Sequence, residues 1–373
     1  MNEWTNGRMG GSRPPFIQGV ELCALFYEEA VGPILGAHFP DVVYSAARLG
    51  PGSDVLGFDT VQSMDHDWGP RLTLFLDEAD HERYQDEIDR VLREKLPREI
   101  HGYSTGFGKH EDGTIVMAAD ADGPVNHHIS INTVRAFFGD YMRWNPGEEP
   151  GPVDWLTFPE QHLRSLVAGR VFHDGLGRLE PIRAKLGYYP RDVWLYLLAA
   201  QWGRISQEEA FVGRCGQVGD ELGSRLVAGR LVRDLMRLCF LMERQYAPYI
   251  KWLGTAFAQL DCASHLTSML TRVLEATSWQ EREKHLSSAY EFVARVHNDL
   301  GITDPLPTQV SQFHDRPFYV IHAENFADAI RAAIASAEVR ALPPHLGAID
   351  QFVDSTDVLS NPERFDRLKL MYR

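Results

Sequence analysis

Two aspartates separated by one residue form the part of this sequence with the clearest chemical capacity. Asp65 and Asp67 follow the small pair Gly52-Ser53 after an eleven-residue spacer, residues 54–64. Side chains two residues apart on a strand point to the same face, so a strand here would place both carboxylates together and turn His66 away. Mg²⁺ takes one or two protein carboxylates together with waters and substrate phosphate oxygens. The spacing therefore predicts Asp65 and Asp67 as Mg²⁺ ligands that act on a bound triphosphate.

The Gly52-Ser53 pair is the matching phosphate contact. Glycine lets the backbone approach a ligand closely, and backbone N–H groups together with the Ser53 hydroxyl donate to phosphate oxygens. We expect Ser53 to orient the β- and γ-phosphates of ATP or another nucleoside triphosphate. Each half of the pattern also occurs by chance, and the structural alternative is a turn followed by a solvated strand end.

The surrounding pattern supplies elements that can position these residues. Residues 19–38 have helical spacing of apolar side chains, and Val42 to Leu49 is typical of a strand that runs into the Gly-Pro-Gly-Ser turn. The predicted order is helix, strand, Gly-Ser turn, spacer and Asp-x-Asp strand.

With these residues in place, the stretch LGPGSDVLGFDTVQSMDHD resembles the nucleotidyltransferase superfamily. The pattern of that superfamily is a hydrophobic residue and Gly-Gly/Ser, then Asp/Glu-x-Asp/Glu after about nine to thirteen residues. The longer stretch YSAARLGPGSDVLGFDTVQSMDHDWGPRLTLFL, with YYPRDVWLYLLAAQW and RQYAPYIKWLG, also resembles an uncharacterised bacterial family of unknown function within it. The resemblance implies a nucleotidyltransferase core followed by helices, similar to kanamycin- and streptomycin-type enzymes, and implies no particular substrate.

A third carboxylate, common in that superfamily on a later strand, has no clear equivalent. The expected strand His127 to Val134 would present a polar face without acids, formed by His128, Ser130 and Asn132. Asp120 and Asp122 precede it in a run that is more typical of a turn. A two-metal mechanism is therefore doubtful, and a nucleotide-binding or partner-binding protein on a degenerate core is the alternative hypothesis.

Composition restricts the partners. The 373 residues contain 52 acidic and 37 basic side chains, which gives a formal net charge of −15. That charge repels a nucleic-acid backbone, and no dense Lys/Arg run offsets it, so we expect a small-molecule acceptor, a cationic one fitting best, and no nucleic acid. No apolar stretch is long enough for a membrane span, and the N-terminal residues have no apolar signal region, so no membrane contact and a cytoplasmic location are expected. A homodimer is compatible with the sequence.

The predicted fold class is α+β, with a small mixed-sheet nucleotidyltransferase core followed by an all-helical bundle. Besides the first strand, the core is expected to contain strands at 71–76, 113–118 and 129–133 and a helix at 78–95. Helical spacing predicts the helices of the second half at 159–171, 191–202, 217–246, 253–276, 279–300 and 325–341. Pro, Gly and acids cluster at residues 143–155, where we place the boundary. The predicted divisions are a flexible tail at 1–16, the core at 17–148, a helical domain at 149–345 and a C-terminal extension at 346–373. Four separated cysteines, Cys23, Cys215, Cys239 and Cys262, are expected to be reduced core thiols.

A cationic stripe in the helical half is the second predicted contact to the nucleotide. It consists of four arginines on roughly helical spacing, Arg230, Arg233, Arg237 and Arg244, and leads into the segment YAPYIKW. Lys251 would act as a point charge on the triphosphate, and Tyr249 or Trp252 would lie against the base or the acceptor. The alternative is an ordinary arginine face paired with acids such as Asp220, Glu221 and Asp234.

Two further hypotheses concern proton transfer and a different reaction class. Candidates for the base that takes the acceptor proton are Glu208, Glu209 and Asp192. Each of them is explained better as an acid at a helix N-terminus, where the helix dipole stabilises it. Metal-dependent phosphohydrolases of the HD type use His-Asp pairs, which occur here at 66–67, 173–174 and 314–315. The pair 66–67 is expected to lead into a strand and the pair 173–174 to lie at a helix end, which disfavours that class.

Overall fold

The structure of the chain is a computed structural model that describes residues 14–111, 113–118 and 123–373. They form two compact units, the first from the described residues up to 148 together with 164–187, and the second from 149–163 and 188–373. The first unit contains a small mixed sheet with helices and the second is almost entirely helical, so the α+β class is confirmed. Residues 1–13 of the predicted tail, and Asp120 and Asp122, lie outside the described residues.

The first unit carries eight strands and six of the helices named here. Its helices are α1 (Gly19–Phe26), α2 (Gly32–His38), α3 (Ser53–Leu56), α4 (Glu78–Lys95), α5 (Val134–Met142) and α8 (Leu179–Lys185). A π-helical turn (Tyr27–Val31) joins α1 to α2, and a 3-10 helix covers Val61–Asp65. Its strands are β1 (Tyr44–Arg48), β2 (Arg71–Leu76), β3 (Glu99–Ile100), β4 (Tyr103–Ser104), β5 (Phe107–Lys109), β6 (Ile115–Met117), β7 (His128–Thr133) and β8 (Arg170–Asp174).

The main sheet has the order β7-β2-β1-β8. Strand β1 is antiparallel to β2 and to β8, whereas β2 and β7 are parallel, with Arg71 opposite His128 and Leu76 opposite Thr133. Two-stranded pairs β3–β4 and β5–β6 lie outside this sheet. The strand predicted at 113–118 forms as β6, but it pairs with β5 instead of joining the main sheet.

Alternation along β2 separates the core from the site. Leu72, Leu74 and Leu76 are buried in one cluster with residues of α1, α2 and α4. Arg71, Thr73 and Phe75 therefore point to the opposite face, where Phe75 packs edge-on against Phe137 of α5 at 5.3 Å between ring centroids. One face of the sheet is thus an apolar core and the other carries the polar side chains.

The second unit contains the remaining elements. Its helices are α6 (Pro152–Thr157), the first residues of α7 (Glu160–Ala168), α9 (Arg191–Glu208), α10 (Phe211–Gln217), α11 (Glu221–Met242), α12 (Ile250–Phe257), α13 (Ala263–Glu275), α14 (Trp279–Asp299), α15 (Ala323–Ala332), α16 (Ala337–Arg340), α17 (Ile349–Phe352), α18 (Thr356–Leu359) and α19 (Pro362–Arg367). A hairpin of β9 (Ser311–Gln312) and β10 (Tyr319–Val320) precedes α15, and a 3-10 helix covers Leu368–Tyr372.

Helix α9 runs through the centre of the second unit. Most of its residues between Val193 and Ile205 are buried, and Trp202 stacks on Phe326 of α15 at 4.3 Å between ring centroids. The C-terminal residues 346–373 belong to this unit, where Phe365 is buried and the Tyr372 hydroxyl donates to the Gly347 carbonyl.

Three helices predicted from the sequence differ from the structure. The one predicted from Asn325 to Ala341 is two helices, α15 and α16, separated by residues 333–336. The helix predicted from Pro159 to Val171 ends at Ala168, and the chain then forms strand β8 beside β1. Gly169 permits this change, because a Cβ there would lie 2.4 Å from the Arg48 carbonyl oxygen. The single helix predicted from Leu253 to Ala276 is two helices, α12 and α13, because the Glu243 carboxylate accepts the backbone N–H groups of residues 261 and 262 between them.

The structure also describes the thiols and the apolar helices on which the sequence led to expectations. All four cysteines are free, and only Cys215 is not buried. No helix within the described ranges has both the length and the apolar character that a bilayer crossing requires.

Candidate functional site

The loop that contains Gly52 and Ser53 leaves the end of β1 and enters α3. Gly50 and Gly52 both have positive φ values, 89° and 149°. A Cβ on Gly52 would lie 2.0 Å from Asp54 Oδ1 and 2.5 Å from Arg48 Nη2, so only glycine fits. The predicted close approach of the backbone at Gly52 is thus directed first at a buried group of charged side chains.

That group is an ion-pair cluster of Arg48, Asp54 and Arg71. Arg48 donates from Nε to Asp54 Oδ2 at 2.8 Å and from Nη2 to Asp54 Oδ1 at 3.0 Å, and Arg71 Nη2 donates to Asp54 Oδ1 at 3.2 Å. Arg48 also donates to the carbonyls of Leu49 and Pro51, which fixes the loop. The cluster ties the end of β1, the start of α3 and the start of β2 together.

Electrostatics in this cluster favour a charged state with one surplus cation. Burial alone would raise the pKa of Asp54, but the positive charges of Arg48 and Arg71 and a hydrogen bond from Arg48 lower it below its ordinary value. Burial and the charge of Arg48 lower the pKa of Arg71, and Asp54 opposes this. Because arginine stays protonated in proteins, two cations and one anion leave a net charge of +1.

The Asp-x-Asp segment does not lie on a strand. Asp65 ends the 3-10 helix, His66 is extended, and Asp67 has a φ of 45° with its N–H bonded to the Ile115 carbonyl at 2.8 Å. Strand β2 begins only at Arg71. The prediction that Asp65 and Asp67 share a strand face is therefore wrong, since period-two alternation does not apply to this local conformation.

Both carboxylates nevertheless reach solvent. Asp65 is exposed and lies 2.9 Å from His66 Nδ1, and Asp67 is exposed as well. Within residues 14–111, 113–118 and 123–373, no group of three or more His, Cys, Asp or Glu side chains is close enough to hold a metal ion. The described part of the site thus supplies two carboxylates at most.

Strand β7 places polar side chains beside Arg71, as its alternation predicts. His128 lies opposite Arg71, Ser130 opposite Thr73, and Asn132 opposite Phe75. Burial and the charge of Arg71 lower the pKa of His128, while the charge of Asp67 opposes the shift. Asp67, Arg71 and His128 therefore act on one another electrostatically at the same end of the sheet.

Lys251 and Tyr249 belong to the second unit. Tyr249 precedes α12, and its backbone N–H donates to Gln161 Oε1 at 3.1 Å. Lys251 is exposed, with its ammonium 5.0 Å from the centre of the Trp252 ring. Gly52, Ser53, Asp65 and Asp67 belong to the first unit. The assignment of Lys251 and Tyr249 to the nucleotide stays a prediction.

The arginine stripe of α11 is engaged with side chains of its own unit. Arg230 pairs with Glu208, Arg233 with Asp354 and Arg237 with Glu160, at 2.6, 2.5 and 2.6 Å, and Arg244 lies 4.3 Å from the centre of the Trp194 ring. The alternative of an ion-paired face is what the structure shows, although the acids differ from those expected, because Asp220 caps α11 and Glu221 pairs with Arg282.

The three candidate bases have structural partners. Glu208 forms two hydrogen bonds with Arg230. Glu209 is buried and accepts backbone N–H groups of the segment 321–323; burial raises its pKa to about 8, against those hydrogen bonds. Asp192 accepts two backbone N–H groups just before α16. Asp192 lies in the first turn of α9, as expected for a helix N-terminal acid, whereas Glu208 and Glu209 lie at the C-terminal end of that helix.

The His-Asp pairs have structural partners or lie in a turn. His66 contacts Asp65, and the pair 314–315 lies in the turn of the β9–β10 hairpin. Asp174 lies at the end of β8, not at a helix end as expected, and accepts the Ser45 hydroxyl at 2.7 Å and three backbone N–H groups at the start of α8. Burial opposes these hydrogen bonds, which hold the pKa of Asp174 below its ordinary value.

Sequence reasoning missed Arg48, Asp54 and Arg71. The available signal was an arginine at the end of one buried strand and another at the start of the next, with an acid directly after Gly52-Ser53. Charged residues are rarely buried unless they are paired, so two arginines flanking apolar strands predict a shared buried acid.

Comparisons with known proteins found one family match and a similar solved structure. Residues 155–253 match a family described as a domain of unknown function (DUF4037). No curated protein matches the chain. Among solved structures, the chain is similar to a nucleotidyltransferase-like protein from Exiguobacterium sibiricum, with 10% sequence identity, coverage of 77% of this chain and 83% of that chain, and a TM-score of 0.32.

Proposed function

We propose that the chain is a Mg²⁺-dependent nucleotidyltransferase that transfers a nucleoside monophosphate, AMP from ATP in the first instance, to a small-molecule acceptor and releases pyrophosphate. One observation carries the proposal. The Gly50–Ser53 loop lies on a buried cluster with a surplus positive charge, and Asp67 acts electrostatically on Arg71 of that cluster. The proposed phosphate contact and one proposed metal ligand, Asp67, thus both act on Arg71 at the start of β2.

The donor set fits magnesium. Asp65 and Asp67 offer hard carboxylate oxygens that reach solvent, and Mg²⁺ completes its coordination with waters and substrate phosphates instead of a full protein cage. Held by these two residues, Mg²⁺ would neutralise charge on the triphosphate and favour attack on the α-phosphorus. The absence of a third acid among the described ligands is compatible with a one-metal site.

The remaining roles belong to side chains of the chain itself. The Ser53 hydroxyl and the backbone of the Gly50–Ser53 loop donate to the β- and γ-phosphates, which orients pyrophosphate as the leaving group. The acceptor hydroxyl, or a similar nucleophile, attacks the α-phosphorus as the bond to pyrophosphate breaks, and its proton passes to solvent. Lys251 would neutralise the departing charge and Tyr249 would contact the base or the acceptor.

The chemical character of the acceptor follows from charge. A formal net charge of −15 attracts cationic small molecules and repels nucleic acids. A cytoplasmic location and a homodimer belong to the same proposal.

A second candidate is a nucleotide sensor or partner-binding protein without catalysis. The observation in its favour is that Asp65 and Asp67 do not share a strand face, while the described residues provide no third acid beside them. Pyrophosphate release in the presence of cell extract separates the two, because a sensor binds nucleotide and releases none.

The first experiment is calorimetric titration of ATP, GTP, CTP and UTP with and without Mg²⁺. Wild type is compared with Asp67→Asn and with a matched control, Asp86→Asn, which removes an exposed carboxylate from α4 on the apolar side of the sheet. We expect wild type and Asp86→Asn to bind the nucleotide in a Mg²⁺-dependent manner. Asp67→Asn should lose both this binding and nucleotidyl transfer. Pyrophosphate release by Asp67→Asn at the wild-type rate would reject this site, and failure of every nucleotide to bind would reject the function.

A further inference from the structure

The guanidinium of Arg71 is nearly buried and largely without hydrogen-bond partners. The residue is 8% exposed, and its Nε has no partner. Within the described part of the chain, its guanidinium makes one hydrogen bond, from Nη2 to Asp54 Oδ1. Arginine has five N–H donors, so most of its donor capacity is unused. Buried charged groups normally have their hydrogen bonds satisfied, because an unsatisfied one carries a large desolvation cost.

Arg48, the other cation of the cluster, provides an internal comparison. It has the same low exposure, yet Nε, Nη1 and Nη2 all donate, to Asp54 and to the carbonyls of Leu49 and Pro51. Arg48 is therefore a structural cation that fixes the loop. Arg71 has its position set by the same acid, but its remaining donors are available.

We propose that Arg71 is the metal-independent contact for the terminal phosphates of the nucleotide, so that the cluster forms a pyrophosphate subsite at the Gly50–Ser53 loop. The inference rests on the proposed function and assigns a ligand to a residue that the Asp-x-Asp pattern does not contain. The planar donor fork of arginine matches two phosphate oxygens, and an anion would balance the surplus positive charge.

The position of the loop supports this assignment. A Cβ on Gly52 would lie 3.1 Å from Arg71 Nη2. The backbone at Gly52 thus passes close to the Arg71 guanidinium, with no side chain between the two. Ser53 follows directly and adds a hydroxyl donor. A phosphate bound at the loop backbone would therefore be within reach of Arg71 and Ser53. The charge of Asp67, in the segment that precedes β2, also acts on Arg71.

The test is a calorimetric titration of the protein with inorganic pyrophosphate in the presence of EDTA. We expect wild type to bind, Arg71→Gln to bind at least tenfold more weakly, and Arg71→Lys to lie between them because it keeps the charge and loses the fork. The matched control is Arg90→Gln, an exposed arginine of α4 whose partners are surface acids, and its affinity should equal that of wild type. Acetate and sulfate serve as competing anions at the same ionic strength.

Several outcomes would overturn the inference. These are a wild type that does not bind pyrophosphate, an Arg71→Gln protein that is folded and binds normally, and sulfate or acetate that binds as tightly as pyrophosphate. If Arg71→Gln does not fold by circular dichroism, Arg71→Lys and the rise in wild-type melting temperature with pyrophosphate provide the decision.

Asp67→Asn separates this inference from the proposed function. It should lose nucleotidyl transfer and keep metal-free pyrophosphate binding. Pyrophosphate binding that depends on Arg71 in a protein without any transferase activity would reject the proposed function alone. Transfer by Arg71→Gln with an unchanged KM for ATP would reject the inference alone.

Discussion

Arg71 of β2 lies directly opposite His128 of β7, and its charge, together with burial, holds the pKa of His128 below its ordinary value. A neutral imidazole adds no positive charge to a region that already contains two arginines. The cationic character of this end of the sheet is thus concentrated on the guanidiniums, which stay charged at every physiological pH.

The first prediction concerns the titration of His128. Replacing Arg71 with Gln removes one of the two main causes of the lowered pKa, so the pKa of His128 should rise toward the free value of about 6.5 without reaching it, because burial remains. The measurement is a histidine NMR titration. Since the pKa is lowered in the native state, the group contributes stability at neutral pH that is lost as the pH falls below about 6.5. Arg90→Gln is the control, and equal pKa values in all three proteins would contradict the assignment.

The second prediction concerns Gly52. Gly52→Ala should destabilise the first unit by about 2 to 4 kcal/mol, because the new Cβ meets the Asp54 and Arg48 side chains and the backbone has a positive φ. Gly57→Ala is the matched control, since Gly57 also has a positive φ but has open space around its Cβ position, and it should cost only about 1 kcal/mol. Urea unfolding measures both. Equal losses of unfolding free energy in the two variants would mean that the Arg48 and Asp54 side chains can move away from the new Cβ at little cost.

The third prediction compares two arginines of α11. Arg237 and Glu160 are both buried, so Arg237→Met removes the cation of a buried ion pair and should lower the unfolding free energy by about 3 to 5 kcal/mol. Arg230→Met removes an exposed pair with Glu208 and should cost less than about 1 kcal/mol. Calorimetric titration of ATP is the accompanying readout. A clear loss of ATP affinity in Arg230→Met would contradict the structural role and would indicate that the arginine stripe contacts the nucleotide.

The fourth prediction concerns pH and His297 in the second unit. This side chain packs edge-on against both rings of the Trp202–Phe326 stack, and burial lowers its pKa to about 4. The unfolded chain takes up a proton below about pH 6.5 whereas the native one does so only near 4, so stability is present above 6.5 and falls between these values, by roughly 3 kcal/mol at most. Urea unfolding between pH 7 and 4 tests this.

His297→Phe is the matched variant for that measurement. It keeps an aromatic ring against the same neighbours and removes the titrating group, so its stability should depend less on pH over the same range. Parallel pH profiles for the variant and the wild type would assign the acid sensitivity to other groups.

The sequence pattern was sufficient to locate those helices and strands that have one strong periodic signal. Strand β2 and helix α4 lie where alternation and helical spacing predict them, and Asp77, between the two, caps α4 by accepting the Asp80 N–H. The Asp-x-Asp segment was harder because alternation gives a face only after a strand is known to exist. Gly69 and Pro70 separate Asp67 from β2, and these residue types interrupt a strand.

The cluster of Arg48, Asp54 and Arg71 depends on tertiary structure. Its hydrogen bonds join the end of β1, the start of α3 and a residue seventeen positions beyond Asp54, and no periodic signal encodes such a pairing. The metal ligands, the phosphate contacts and the roles of Lys251 and Tyr249 are still predictions. The sequence therefore predicted the loop of the candidate site and missed the charged group beneath it.

Strand β8 has a consequence for the order in which the chain is made. Ser45 of β1 pairs with Asp174, which leaves the ribosome more than a hundred residues later. Until then the outer side of β1 has no partner strand, and its unpaired backbone groups are open to other chains. Biosynthesis thus leaves the N-terminal sheet incomplete while the first helices of the second unit are already emerging. Slow translation or truncation before residue 174 should accordingly favour aggregation over a stable N-terminal fragment.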